Sequence, residues 1–226
     1  MTADRAPRTG QARSGTRGVP REVRTAAILE AAAAEFGDVG YAAAQVTAIA
    51  ARADVSKALV LAYFGSKDKL YVACVQQAGP IVFDAVRAAF DTAPAERPGM
   101  SLFSRAASAV LTSIFTALEG RTGYWALLYD RSVPEGAGRD VARAERRRLR
   151  EQAATEVAGV MRAAGLTAPT DITVAVLVWE SMVSANMQFW RLNPHLSAAE
   201  VSAAADRVLA AWSVQAPQDP TETENP

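Results

Sequence analysis

The chain has 226 residues, half of them apolar, with 24 Lys and Arg balancing 24 Asp and Glu. Such a chain can bury a sizeable core in one domain or two, and its composition is that of a soluble globular protein. No apolar run reaches the roughly 18 residues of a membrane span, and no apolar stretch follows the N-terminal arginines as a secretory signal requires. The single cysteine, Cys74, and the single histidine, His195, exclude an internal disulfide framework and a Cys/His zinc site, and they fit a cytoplasmic location.

The neutral total conceals an asymmetry. Residues 1–70 carry ten Lys and Arg against seven Asp and Glu, leaving 14 against 17 for the rest. A basic head on an acidic body suits a polyanionic partner at one end. Arginine outnumbers lysine 21 to 3, which together with abundant alanine reads as genomic codon bias.

In chain order, residues 1–20 are rich in Gly, Ser, Thr, Pro and Arg without a hydrophobic period, and are expected to form a disordered arm. From Arg21 the pattern is helical. Leu29, Ala32, Ala33 and Phe36 share one face of a first helix, which Gly37 and Gly40 are expected to end. Short helices follow at 45–52 and from Ser56, then a longer one opened by Ser66-Lys67-Asp68 that Pro80 should kink or break. The Pro/Gly-rich stretch 91–99 reads as a loop. Further helices are expected at 101–119, 122–130, 137–164, 170–191 and 197–213, the last opened by a capping box from Ser197 to Glu200. Residues 216–226 should fray. No strand alternation and no repeat occurs, so the chain is expected to be all-α.

The stretch Thr47–Phe64, TAIAARADVSKALVLAYF, has the anatomy of a helix-turn-helix. Two helices crossing steeply need a small residue at their closest approach, and Ala50 supplies it. Four positions later the turn needs a residue tolerant of positive φ, and Asp54 stands there. Val60 packs the second helix on the first, Ile49 points into the same small core, Val55 seals the turn and Ser56 can cap the second helix. An ordinary helical hairpin would read the same way over this fragment alone.

Its surroundings narrow the choice. From Arg24 to Tyr71 the sequence runs RTAAILEAAAAEFGDVGYAAAQVTAIAARADVSKALVLAYFGSKDKLY. Ile28-Leu29, Ala32, Phe36, Gly40-Tyr41, Val46, Ile49-Ala50, Val55-Ser56-Lys57 and Tyr63-Phe64-Gly65-Ser66-Lys67-Asp68 with Leu70 fall at spacings that resemble the tetracycline-repressor (TetR) family. The resemblance covers about 48 residues, and beyond them the chain matches only in being helical. It departs from the family pattern at Asp54 (usually glycine), Ala44 (usually a threonine cap), Leu61 (commonly tyrosine) and Ala62 (often aromatic or histidine). These changes leave the fold intact but remove common phosphate or base contacts.

The resemblance implies a three-helix DNA-binding head over 21–70, a helical effector-binding and dimerisation bundle over 71–215, and a flexible tail over 216–226. A recognition helix entering the major groove presents its N-terminal residues to base edges. Lys57 is thus expected to reach a guanine, with Ser56, Ala58 and Leu59 beside it, Leu59 against a thymine methyl. Gln45 and Thr47 would serve phosphates or a base from the scanning helix. Tyr63 and Lys67 would bind phosphates, Lys67 from the start of the next helix. The alternative for both lysines is plain solvation, and the arginine arm either enters the minor groove or stays a loose tail.

For the body, the resemblance implies a ligand cavity and a homodimer built on the last two long helices. Stripes of Val174, Leu177, Val178, Ser181 and Met182, and of Val201, Ala205, Val208 and Trp212, could form half of a four-helix interface or bury within their own chain. Trp125, Tyr129, Trp179 and Met182 are the candidate cavity residues. The charged run 143–151 reads as a solvated helix face, and His195 as a surface or capping residue. No nucleophilic triad can be assembled around one histidine, no phosphate-binding Gly-rich loop occurs, and no cofactor, metal or catalytic residue is implied. The function expected is a ligand-responsive transcriptional regulator, a repressor that binds a palindromic double-stranded operator as a dimer and is released by a small-molecule effector. The competing readings are a helical interaction module with degenerate DNA binding and, behind it, an all-helical enzyme.

Overall fold

The computed structural model describes residues 20–91 and 96–213; residues 1–19 of the expected arm and the expected tail lie outside them. The described residues form nine helices and no strand: α1 (Arg21–Ala43), α2 (Val46–Arg52), α3 (Lys57–Phe64), α4 (Lys67–Asp91), α5 (Leu102–Leu118), α6 (Gly123–Tyr129), α7 (Ala137–Ala163), α8 (Pro169–Leu192) and α9 (Ala198–Trp212). The fold is all-α, a helix-turn-helix head with a helical C-terminal body.

Helix starts follow the capping chemistry of the sequence. Ser56 and Ser101 accept the backbone N–H of Leu59 and Ser104, and Ser66 accepts that of Lys69 at 3.1 Å. At α9, Ser197 and Glu200 close the expected capping box, each such cap relieving N–H groups that have no partner inside the helix. Two helix-breaking signals act differently from expectation. Gly37 does not end α1, whose regular run breaks instead at Gly40 (φ 77°, ψ 162°), the other glycine expected to end it, before a last short turn to Ala43. Pro80 does not break α4, which continues as one helix to Asp91; a proline there removes one intrahelical N–H donor, and packing on both sides holds the helix together.

α4 is the spine. It packs on α1, α5, α6 and α7; α9 lies on α5 and α8 on α7. The boundary expected at 70/71 therefore falls inside a continuous helix. There Tyr71 lies edge-on to Phe36 and Tyr41 at 5.2 Å from each, and its hydroxyl donates to the Leu127 carbonyl at 2.6 Å. Between α5 and α9, Asp206 accepts from Arg97 at 2.7 Å and from Ser108 at 2.5 Å.

Among the described residues one helix, α8, is long and apolar enough to cross a membrane by length and composition alone, although no unbroken apolar run in it reaches 18 residues. Glu180 interrupts any contiguous apolar run there, which hid the overall apolarity. Trp179, Val183, Met187 and Trp190 turn one side of α8 into the core, while Val174, Leu177 and Val178 are exposed on another.

Candidate DNA-binding head and effector cavity

α1, α2 and α3 build the head around a few side chains. Ile49, Ala50 and Val60 are buried at the α2–α3 crossing. The Val55 N–H closes the turn on the Ala50 carbonyl at 3.0 Å, and Asp54 adopts φ 50°, the sole positive φ of a non-glycine among the described residues. An aspartate can visit this left-handed region, though glycine does so without strain. Arg52 braces α2 on α1 through Glu35 (3.2 Å) and Asp38 (2.8 Å), and Glu35 also accepts the Gln45 N–H at 3.4 Å.

This frame presents α3 to solvent. Ser56, Lys57 and Ala58 are exposed at its start and Leu59 is half-buried. The Ser56 hydroxyl oxygen is occupied as the cap, which leaves its proton to donate outward. Gln45 and Thr47 are exposed at the start of α2, 3.4 Å apart side chain to side chain. Tyr63 is half-buried beneath the Arg21 guanidinium, 5.0 Å from its ring centre. Lys67 is not a free surface cation: its ammonium lies 4.5 Å over the Tyr41 ring, and burial lowers its pKa, with Glu35 opposing. It is held at the α4 N-terminus on the edge of the head, a fixed point charge rather than a swinging one.

In the body, a cavity of about 280 Å³ opens between α4, α5, α6, α7 and α8. Val82, Val86, Val110 and Ile114 line its depth. Three of the four expected cavity residues are present: Trp125 and Tyr129, whose rings stack at 4.7 Å, and Trp179. Met182 is not among them. It lines a separate groove with Leu111, Phe189, Val208 and Trp212, because it sits three residues round the helix from Trp179 and turns away from α7 toward α9.

Sequence reasoning missed the polar part of this cavity, Arg131, Arg146, Arg150 and Glu180. The charged run was read as solvated, yet Arg146 continues the inward stripe of Ala142, Leu149 and Ala153, an arginine within an apolar spacing. A second cavity of about 430 Å³ adjoins the first through Trp125, Tyr129, Arg131 and Ser184, and reaches Gly37 and Gly40 of α1 and Arg191 of α8.

The expected dimer stripe divides in two. Val174, Val178, Val208 and Trp212 are exposed, Trp212 at 72%. Val201 and Ala205 are buried, at 1% and 8%, in their own chain, because α9 lays that face on α5. The exposed set also includes Leu177, Phe189 and Leu192, forming an apolar face on the last two helices.

Residues 28–74, the segment holding α2, α3 and their braces, match the family described as bacterial regulatory proteins, tetR family. This head is similar to the DNA-binding region of the TetR family. Over 83 residues it is 41% identical to the HTH-type transcriptional activator FasR of Mycolicibacterium smegmatis, a match spanning 37% of each protein. The whole fold is similar to the crystal structure of a TetR-like transcriptional regulator from Rhodococcus sp. RHA1, at 25% identity and TM-score 0.57, covering 85% of this chain and 96% of that one. It also resembles the transcriptional regulator FadR from Bacillus subtilis in complex with stearoyl-CoA, at 14% identity and TM-score 0.58, covering 84% and 97%. At that identity the likeness is one of fold.

Proposed function

We propose that the chain is a cytoplasmic, ligand-responsive transcriptional regulator that binds a palindromic operator as a homodimer, represses, and is released when a small molecule fills the α4–α8 cavity. The observation that carries this reading is one chain offering an exposed recognition helix, with Lys57 exposed at its start, and an apolar cavity whose wall, α6, packs directly on α1 of the head. Residues 21–70 would bind DNA through Gln45, Thr47, Ser56, Lys57, Ala58, Leu59, Tyr63 and Lys67. Residues 71–215 would hold the effector beside Trp125, Tyr129 and Trp179 and pair two copies.

Pairing is supported by the exposed apolar face of α8 and α9, since contiguous apolar patches of this kind mark interaction surfaces. A second copy presenting the same face would cover Val174, Leu177, Val178, Phe189, Val208 and Trp212 about a two-fold axis. Two recognition helices then require half-sites about one helical turn, roughly 34–36 Å, or a multiple apart. That FadR was solved with stearoyl-CoA supports a fold able to hold a small molecule.

The test combines light scattering with footprinting on DNA upstream of the chain's own gene. A dimer at micromolar concentration and protection of two symmetric half-sites are expected. A monomer, or failure to retard any upstream fragment, would overturn the reading and favour an interaction module. In vitro transcription from the same fragment reads the sign of regulation, with repression expected.

A further inference from the structure

The effector cavity has two chemistries. Its depth is aliphatic and aromatic, built from Val82, Val86, Val110, Ile114 and Trp125, with the exposed Tyr129 stacked on Trp125 toward the rim. Its mouth carries three guanidinium groups, from Arg131, Arg146 and Arg150, against one carboxylate, Glu180. An uncharged apolar ligand would need only the first part.

The three arginines are engaged to different degrees. Arg150 donates through Nε to Glu180 at 3.0 Å, which occupies one edge of its fork and leaves its remaining N–H groups. Arg146 donates to the Leu128 carbonyl, which supplies no countercharge. Arg131 has no hydrogen bond or ion pair among the described residues and is exposed where the two cavities meet. Glu180 thus balances one of three positive charges. Cations lining one cavity, with low-dielectric walls behind them, attract an anion more strongly than the same groups spread over a surface. Burial acts against the charged form of Arg146, with Tyr71 and Tyr129 opposing and Arg143 and Arg150 adding to it, a cost that a bound anion offsets.

We propose that the effector is an amphipathic anion, with an apolar tail in the Val82–Ile114 depth and a carboxylate or phosphate head taken by Arg131 with Arg146 and Arg150. The planar fork of arginine matches both oxyanions in bidentate geometry. At the roughly 30 Å³ that one water occupies in the liquid, the cavity of about 280 Å³ encloses a tail of nine or so heavy atoms. The adjoining cavity carries Asp38 and Asp130 beside Arg191, so the anionic head stays at the three arginines of the first. The proposal rests on reading this cavity as the effector site, and its test separates the two.

Isothermal titration of the full-length protein with decanoate, decyl phosphate, 1-decanol and decylammonium compares one tail carrying four heads. The expected result is that at least one anion binds tenfold or more tighter than 1-decanol, and that decylammonium binds weakest. The better of the two anions distinguishes a carboxylate from a phosphate ligand. Arg131→Gln and Arg150→Gln are each expected to bring the anion within about threefold of 1-decanol while leaving the affinity for 1-decanol unchanged. Arg146 is left intact because its contact with Leu128 ties α7 to α6.

Equal affinities for anion and alcohol, or anion binding that neither arginine variant alters, overturn the proposal while leaving an uncharged effector open. Binding by none of the four probes at millimolar concentration overturns both the proposal and the effector reading. Anion-selective binding that leaves operator affinity unchanged retains the anion site and overturns its regulatory role.

Discussion

Gly37 lies within α1, and Gly123 opens α6. A Cβ built on Gly37 would stand 2.4 Å from the Gly123 Cα and 3.1 Å from its carbonyl carbon, while one built on Gly123 would stand 2.6 Å from the Ala33 carbonyl oxygen. Both obstacles are backbone, so neither can move as a flexible side chain would. Gly37→Ala gains about 1 kcal/mol of helix propensity and meets an overpacking cost of typically ~1–3 kcal/mol. With main chain as the obstacle the cost belongs near the upper end, for a net loss of about 1–2 kcal/mol. In a domain of this size that lowers Tm by roughly 2–8 °C. Gly159 on α7 supplies the control, since a Cβ built there would meet nothing within 4 Å; Gly159→Ala should gain about 0.5–1 kcal/mol. Urea denaturation of both variants beside the parent decides the matter. If Gly37→Ala stabilised as much as Gly159→Ala, the close approach of α1 and α6 would be wrong, and with it the contact through which the cavity wall meets the head.

Three further outcomes are expected. In binding to a library of operator variants, Lys67→Ala should weaken all sequences alike and lower the salt slope by about one unit, whereas Lys57→Ala should cost roughly 1–3 kcal/mol at the cognate site and relax one base position; uniform loss in both would refute the division of roles. Asp130 Oδ2 accepts the Tyr41 N–H at 2.5 Å and Ser132 Oγ the Ala42 N–H at 3.1 Å, so the Asp130→Ala, Ser132→Ala pair should weaken the effect of an effector on operator affinity, measured by anisotropy, more than it weakens effector binding itself. Burial holds the Cys74 thiol and the Tyr71 and Tyr124 phenols above their ordinary values of 9.0 and 10.0. The folded chain therefore keeps protons that the unfolded chain releases; the stability they contribute is complete below about pH 9 and is lost as pH rises toward the folded-state values. The urea midpoint should fall between about pH 9 and about pH 10.5, and a Cys74→Ala, Tyr71→Phe double variant showing the same fall would refute this assignment.

The helices were legible because their signals are local. Ser56 and Ser197 cap where a short polar side chain precedes an apolar period, and Asp54 takes positive φ where the turn spacing demands it. What escaped was decided by contacts between distant segments. Gly37 reads as a helix stop until the backbone of residue 123 is seen against it. Val201 and Ala205 share the spacing of Val208 and Trp212, and only the placement of α9 on α5 separates the buried pair from the exposed one. Met182 differs from Trp179 by three residues, nearly a full turn, yet falls on the other side of the line between cavity and groove. The arginines at the cavity mouth were written into a run so charged that its inward phase, Ala142–Arg146–Leu149–Ala153, was masked by its outward neighbours.

On the proposed reading, α6 is where effector and operator meet energetically. Its first residue is wedged against α1, Tyr124 donates to Glu30 of α1 at 2.9 Å, Trp125 and Tyr129 wall the cavity, and the segment that follows it caps the N–H groups just beyond the Gly40 kink. Arg191 at the end of α8 adds a bond to the Gly37 carbonyl at 3.0 Å, so the proposed dimer helix grips the same turn of α1. An effector shifts the spacing of two heads only by the difference in its affinity for the two arrangements. A hundredfold preference per site is worth about 2.7 kcal/mol, and two sites in one dimer exceed 5 kcal/mol. A seven-residue helix held at both ends has little room to absorb an inserted ligand by bending. Displacement of Trp125 or Tyr129 is therefore passed to α1, and through the Arg52–Glu35 brace to α2 and the recognition helix.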